Sequence, residues 1–362
     1  MKILHVAGAR PNFVKIASIL KACSKTAEIE SVLVHTGQHY SNNMSDNFFE
    51  DLEIPRPDVN LEVGSGSHAQ QTGEIMKRFE PVVLECKPDT VLVVGDVNST
   101  VACAMVATKL GIKTIHVEAG LRSFDRTMPE EINRILTDAI SDILFVTEPS
   151  GVTNLKNEGI DGHKVHLVGN VMIDTLDMHK RKADKSDILV RLNLLPGNFC
   201  VVTLHRPSNV DECKAFRSIL DALVKIQDEI KVVFPVHPRT LKQFELTGLI
   251  RNLNNFPNIM LTEPLGYLDF MKLMSESKIV ITDSGGIQEE TTVLGIPCLT
   301  VRENTERPIT ITEGTNMLVG TDTDKILRGF RESLHRVKKK SRPHLWDGKA
   351  SERIIQVLLK VF

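Results

Sequence analysis

The sequence predicts an α/β protein made of two doubly wound domains. Three observations carry this. Short β-branched runs alternate with longer helical patterns along the whole chain, the mark of parallel strands joined by crossover helices. The alternation runs through the first half and is repeated in the second. The length, 362 residues, exceeds what one hydrophobic core comfortably serves.

In the first half, strands are predicted at 3–7, 31–35, 90–94, 114–117 and 143–146, with helices near 13–23, 71–86, 100–110 and 130–140. In the second, strands fall at 199–203, 232–236, 259–261, 279–282 and 298–301, with helices at 213–226, 267–274, 287–294 and 324–337. The charged stretch 171–196, broken by Pro196-Gly197, reads as the connector. The expected division is therefore 1–170, 171–345 and a last segment, 346–362. That segment carries a helix at 351–361 with Ile354, Ile355, Leu358 and Leu359 on one side, expected to pack back on the N-terminal domain.

Apolar residues make up 41% and charged residues 25%, the balance of a folded soluble chain. A net charge of −2 gives no reason to expect a nucleic-acid or anionic-membrane partner. The basic run around Lys338-Lys339-Lys340 reads as solvated surface. Six scattered cysteines lack C-x-x-C spacing, and no stretch approaches the ~20 apolar residues of a membrane span. The N-terminal residues run straight into a strand with no cleavable leader. These features place the protein in a reducing cytoplasm.

Ligands of open parallel sheets bind outside the carboxyl ends of the strands, so the residues that follow each strand are the candidates. In Thr282-Asp283-Ser284-Gly285-Gly286-Ile287-Gln288-Glu289-Glu290 a strand gives way through a glycine turn to a helix. Close backbone approach and free N–H groups there suit a phosphate, and Glu290, about one turn in, could accept from two ribose hydroxyls. An ordinary N-cap on Asp283 or Ser284 would look the same. Gly8-Ala9-Arg10-Pro11 follows the first strand, with Lys15 one turn into the helix; both cations are expected to face the crevice, suiting a diphosphate, although a surface basic pair is the plainer reading. Gly95-Asp96 repeats the strand–acid–helix pattern, and Asp96 could equally cap that helix.

Glu118, in His116-Val117-Glu118-Ala119-Gly120-Leu121-Arg122, closes a buried strand, a costly place for a carboxylate without a partner or a task. Glu130 lies in Pro129-Glu130-Glu131, which is also common helix-start chemistry. His205-Arg206 and His237 end strands of the second half, where a histidine is either structural or functional. No G-x-G-x-x-G follows a strand, and neither a Walker loop nor H-E-x-x-H occurs. No dinucleotide cofactor and no metal are expected; His163 and His166 lack a carboxylate or thiol companion.

Taken together, G-A-R-P-x-x-x-K, G-D-x-N-S-T, H-V-E-A-G-L-R, M-P-E-E-I-N-R, D-S-G-G-I-Q-E-E and T-E-R-P, in order from Gly8 to Pro308, resemble the non-hydrolysing UDP-N-acetylglucosamine 2-epimerase family. The resemblance implies a glycosyltransferase-B fold of two Rossmann-like domains with a UDP-sugar in the cleft between them. It implies that Asp96, Glu118 and Glu130 are the acid/base carboxylates around the sugar C2, with Arg10, Lys15 and His205 beside sugar and diphosphate. Ser284, Gly285 and Gly286 would then hold the β-phosphate, Glu290 the ribose, and Arg307 the phosphates or sugar, with His237 also at the substrate. It further implies a homodimer, no cofactor, and a role in surface polysaccharide synthesis.

Two departures bear on this. The histidine is followed by Arg206-Pro207-Ser208-Asn209, where many members carry a second Arg and then Glu, so a 6-deoxy or uronate sugar stays open. After Gln38-His39 comes Tyr40-Ser41-Asn42-Asn43, unlike members with a second, activating UDP-GlcNAc site, so no such allostery is implied. Three rivals remain: a glycosyltransferase of the same fold, which should show an acceptor surface; a hydrolysing epimerase; and a silent UDP-sugar sensor, which has no use for three acids.

Overall fold

The computed structural model describes residues 1–37, 48–248, 256–335 and 342–362. The stretch 40–43 and the basic residues 336–340 lie outside them.

The strands of the first half are β1 (Lys2–Ala7), β2 (Glu30–His35), β3 (Val59–Asn60), β4 (Thr90–Val94), β5 (Lys113–Ala119), β6 (Ile143–Val146) and β7 (Val165–Leu167). Among the described residues they form one parallel sheet in the order β3-β2-β1-β4-β5-β6-β7. The second half contributes β8 (Phe199–Thr203), β9 (Lys231–Pro235), β10 (Ile259–Thr262), β11 (Ile279–Thr282), β12 (Cys298–Thr300) and β13 (Asn316–Leu318). They form a second parallel sheet, β10-β9-β8-β11-β12-β13. Both orders reverse direction beside their first strand, the doubly wound pattern, and the α/β fold class is as the alternation foretold. The reversal falls between β1 and β4 in one sheet and between β8 and β11 in the other.

Strands buried on both faces read as near-continuous apolar runs, which is why Val91–Val94 and Phe199–Val202 carry no alternation. In the first sheet Leu4, Val6, Val91 and Val93 pack with Ile75, Phe79 and Val83 of the helix His68–Cys86. In the second, Val202, Phe234 and Ile281 pack with Phe216, Leu223 and Phe330.

The chain divides into two compact units, Met1–Met178 with His344–Phe362, and His179–Pro343. The division falls inside a helix, Val171–Ala183, within the stretch that its charges marked as a connector. The first turns of this stretch are packed helix: Val171, Met172, Ile173 and Leu176 are buried, and Thr175 Oγ1 donates to the Val14 carbonyl at 2.7 Å. The C-terminal helix Ala350–Val361 belongs to the first unit. The Asp174 carboxylate accepts from Ala350 N at 3.1 Å and Ser351 N at 2.7 Å, satisfying its first N–H groups. Trp346, fully buried, donates from Nε1 to the Thr147 carbonyl at 3.0 Å. No helix among the described residues is long and apolar enough to cross a membrane.

Candidate active site

At the reversal of the first sheet, the loop after β1 is tied to the end of β4 by Asn12. Its Oδ1 accepts from Ala9 N at 2.9 Å and its Nδ2 donates to the Val94 carbonyl at 2.9 Å. Arg10 opens the helix Arg10–Cys23 and lies over the Phe48 ring, 4.7 Å from its centre. Lys15 is buried and pairs directly with Glu118, so it is not the surface cation that the plainer reading would make it.

Glu118 ends β5 in an unusual way. The ladder with β6 shifts register between Val117 and Ala119, and Glu118 has φ of 75°, left-handed for a residue with a side chain. Such a conformation costs about 1–3 kcal/mol and persists where the surroundings impose it, typically at functional sites. Gly95, φ 69°, makes room: a Cβ there would lie 2.8 Å from Lys15 Nζ and 3.3 Å from Glu118 Oε2.

Asp96 does not cap the next helix. Asn98–Lys109 starts from Val97 with no side-chain cap, and Asp96 Oδ2 accepts from Arg134 Nε at 3.0 Å and Nη2 at 2.8 Å. Arg134 is buried and also pairs with Glu131. Of the two acids that open Pro129–Ile140, Glu131 is the structural one, accepting from Ser123 N and Oγ at 3.0 Å and Phe124 N at 2.9 Å. Glu130 is half-buried and its side chain makes no hydrogen bond or ion pair among the described residues. Beneath them His116, Asp138 and Arg122 form a buried polar chain that sequence reasoning passed over. Its signal was Asp138, two turns after Glu131 on one helix, where a buried acid needs a cation.

At the reversal of the second sheet, Asp283 is fully buried and anchors the loop after β8. It accepts from His205 N at 3.0 Å, Arg206 N at 3.0 Å and Asn209 Nδ2 at 3.1 Å, and His205 Nδ1 lies 2.8 Å away. Burial would raise the Asp283 pKa, but the His205 charge and these donors overcome it and hold the acid at about 2. Asp283 is thus not the helix cap that the rival reading made it; nor does Ser284, the N-cap of Gly285–Leu294, cap with its side chain, so among the described residues this helix starts without a side-chain cap. His237 Nδ1 accepts from Arg239 N at 3.2 Å as the cap of Pro238–Thr247, and its ring is 5.7 Å from that of His205.

A Cβ at Gly285 would overlap the Arg307 guanidinium, so this glycine lets arginine reach the helix N-terminus, while Gly286 stays half-exposed. Arg307 is held by Glu289 at 2.8 Å and by Glu306, which also takes Arg302 at 2.7 Å and Arg206 at 3.5 Å. Three guanidiniums and two carboxylates thus pack together beside this helix. Further along, Glu290 accepts from the Tyr267 hydroxyl at 3.2 Å; burial drives its pKa up to about 8, Glu289 adds to this, and the tyrosine opposes it.

Two doubly wound units, each with polar side chains gathered where its strand order reverses, define a two-domain α/β enzyme of glycosyltransferase-B architecture. The family model for UDP-N-acetylglucosamine 2-epimerase matches residues 21–359. A UDP-N-acetylglucosamine 2-epimerase homolog of Methanococcus maripaludis is 44% identical, covering 99% of each chain. A UDP-2,3-diacetamido-2,3-dideoxy-D-glucuronate 2-epimerase of Pseudomonas aeruginosa is 42% identical with 100% of both chains covered. Among solved structures, the Methanocaldococcus jannaschii UDP-GlcNAc 2-epimerase in complex with UDP-GlcNAc and UDP superposes with a TM-score of 0.95 at 41% identity, over 99% of this chain and 100% of that one. The chain belongs to the UDP-N-acetylglucosamine 2-epimerase family and is an isomerase.

Proposed function

We propose that the protein interconverts UDP-N-acetylglucosamine and UDP-N-acetylmannosamine without a cofactor. The observation that carries this is the grouping of Asp96 and strained Glu118 across Gly95, with Glu130 unpaired among the described residues on the next helix. The C2 hydrogen is not acidic, because no carbonyl adjoins that carbon. The C1–O bond therefore breaks first, its electron pair leaving with UDP. A carboxylate then takes the C2 proton and the C1–C2 double bond of 2-acetamidoglucal forms. Protonation of C2 from the other face and return of the UDP oxygen to C1 complete the inversion. Two faces need two proton carriers, which accounts for several acids.

The departing diphosphate is assigned to Ser284, Gly285, Gly286, Arg307 and His205 of the second unit. The helix start at Ser284, without a side-chain cap, and the Arg307 guanidinium against Gly285 support that assignment. Incubation with UDP-N-acetylglucosamine in D2O should give both epimers, with deuterium at C2, at a rate that chelator leaves unchanged. A strict need for NAD or a divalent metal would sink this reading. The Pseudomonas relative, as similar as the N-acetylglucosamine enzymes, supports a second reading, an N-acetylated uronate substrate; preference for that sugar in the same assay would establish it.

Glu290 is assigned to the ribose hydroxyls. Glu290→Ala should cost about 1.5–3 kcal/mol, or one to two decades in UDP affinity. The raised pKa adds a sign: only the ionised group accepts two charge-assisted hydrogen bonds, one on each oxygen, so the parent's affinity should climb as pH rises to about 8 and level above it. Calorimetry on the Glu290→Ala variant subtracts the nucleotide's own titration. Equal pH profiles would move the ribose elsewhere.

A cytoplasmic homodimer completes the proposal. The six free thiols suit a reducing compartment, and Leu84 and Leu136 leave apolar surface on two helices of the first unit. Light scattering that returns a monomer's mass would reject the dimer.

A further inference from the structure

Gly95 and Glu118 both have left-handed backbones, and three attachments surround them. Gly95 N donates to the Val117 carbonyl at 3.0 Å. The Gly95 carbonyl faces His116 Nε2 at 2.8 Å. Beyond Glu118, Gly120 N donates to Asp138 Oδ2 at 3.0 Å. Asp138 also meets His116 Nδ1 at 2.6 Å and Arg122 Nη2 at 2.7 Å, and Arg122 grips Glu158 with two bonds of 2.7 and 2.6 Å. His116 and Asp138 are buried completely or nearly so.

Each imidazole nitrogen of His116 faces an oxygen that can only accept, a peptide carbonyl on one side and a carboxylate on the other. Both bonds form only if both nitrogens carry hydrogen. The chain His116, Asp138, Arg122, Glu158 then alternates in charge and closes to neutrality. Burial alone would raise the Asp138 pKa, but the His116 charge and Arg122 outweigh it and hold the acid ionised.

We propose that His116, doubly protonated and braced by Asp138, is a positioning residue for epimerisation: it grips the Gly95 carbonyl and so fixes Asp96 and the left-handed Glu118 relative to each other. The inference rests on the reading of those two carboxylates as the acid/base groups. His116 touches no substrate; it acts through the Gly95–Asp96 peptide, whose Gly95 N–H in turn holds the Val117 carbonyl beside Glu118.

The test compares His116→Gln, Asp138→Asn and the double variant. In His116→Gln the amide can donate to Gly95, but its oxygen is set against the Asp138 carboxylate, acceptor on acceptor. In the double variant the Asn amide donates to the Gln oxygen while its own oxygen still accepts from Gly120. Turnover of the single His116→Gln should fall about ten- to a hundredfold, as sub-ångström misplacement of reacting groups does, with UDP affinity unchanged and more glycal released per epimerisation. The double variant should recover most of the loss, a coupling that general loosening of the fold does not produce.

A double variant no better than the single, or UDP affinity that falls in step with turnover, would overturn the inference. Nitrogen NMR of histidine-labelled parent enzyme should find an N–H on both ring nitrogens of His116; one bare nitrogen also overturns it. That measurement and the parent–double comparison decide the matter should His116→Gln prove too unstable to assay. Glu118→Gln, run alongside, separates the two levels. Parental activity in Glu118→Gln defeats the carboxylate reading, whereas a crippled Glu118→Gln beside a fully active His116→Gln defeats only the role of His116.

Discussion

Glu130→Gln should epimerise about two to four decades more slowly than the parent and leak 2-acetamidoglucal with UDP, because one face of C2 loses its general acid–base partner while the diphosphate grip of the second unit is untouched. UDP still departs on occasion, the return proton arrives late, and the glycal outlives the bound state. Glu130 is the clean position for this test. Its side chain makes no hydrogen bond or ion pair among the described residues, so a neutral isostere disturbs nothing there. Glu118→Gln should show the same leak with a second signature. It leaves the buried Lys15 ammonium facing a neutral amide, and exchanging a charged acceptor for a neutral one should cost about 1.5–3 kcal/mol of stability. Chromatography of products and thermal melts separate the two effects. If neither variant releases glycal and both run at the parental rate, these acids are structural.

The long elements were legible because their signals are local. Thr90–Val94, Ile143–Val146, Phe199–Thr203 and Ile279–Thr282 are the strands that their β-branched runs predict, and Cys213–Ile226 is the helix its period predicts. Val59–Asn60, Val165–Leu167 and Asn316–Leu318 were not legible, since two or three residues cannot establish a period and the sheet edge forms them. The packed helix at the start of the charged stretch after 170 was hidden for a related reason. A solvated face of Lys180, Arg181 and Lys182 hid a buried stripe four residues wide. At the site, the residue types that follow strands could be read, but their partners could not. Lys15 meets Glu118 across 103 residues, His205 meets Asp283 across 78, and Asp96 meets Arg134 across 38. Such pairings depend on which strands lie side by side, so neither the Lys15–Glu118 pair nor the role of Asp283 as anchor of the loop after β8 could be read from the sequence.

Asp283→Asn should damage both stability and turnover, because one buried carboxylate organises the whole loop after β8. Its pKa falls from an ordinary 3.8 to about 2, which corresponds to roughly 2 kcal/mol of stabilisation in the ionised form. The depressed folded-state value fixes the sign. That stability is complete above about 3.8 and is lost as pH falls through about 2, so the parent should weaken in that window more steeply than the variant. At neutral pH an asparagine oxygen can accept from only some of the donors now offered by His205, Arg206 and Asn209, and its N–H2 faces others as donor on donor. His205 Nδ1, now 2.8 Å from the carboxylate, loses the charge that orients the ring. With His205 assigned to the leaving diphosphate, turnover should drop by about two decades, within the usual span for a positioned acid–base group. UDP affinity should fall less, since Arg307 and the helix start at Ser284 keep their own supports in Glu289, Glu306 and the peptide backbone. Stopped-flow turnover, UDP titration and melts across pH give the three readings. A variant that keeps parental turnover, or whose acid-side stability tracks the parent's, would show that Asp283 does not hold His205 for the reaction.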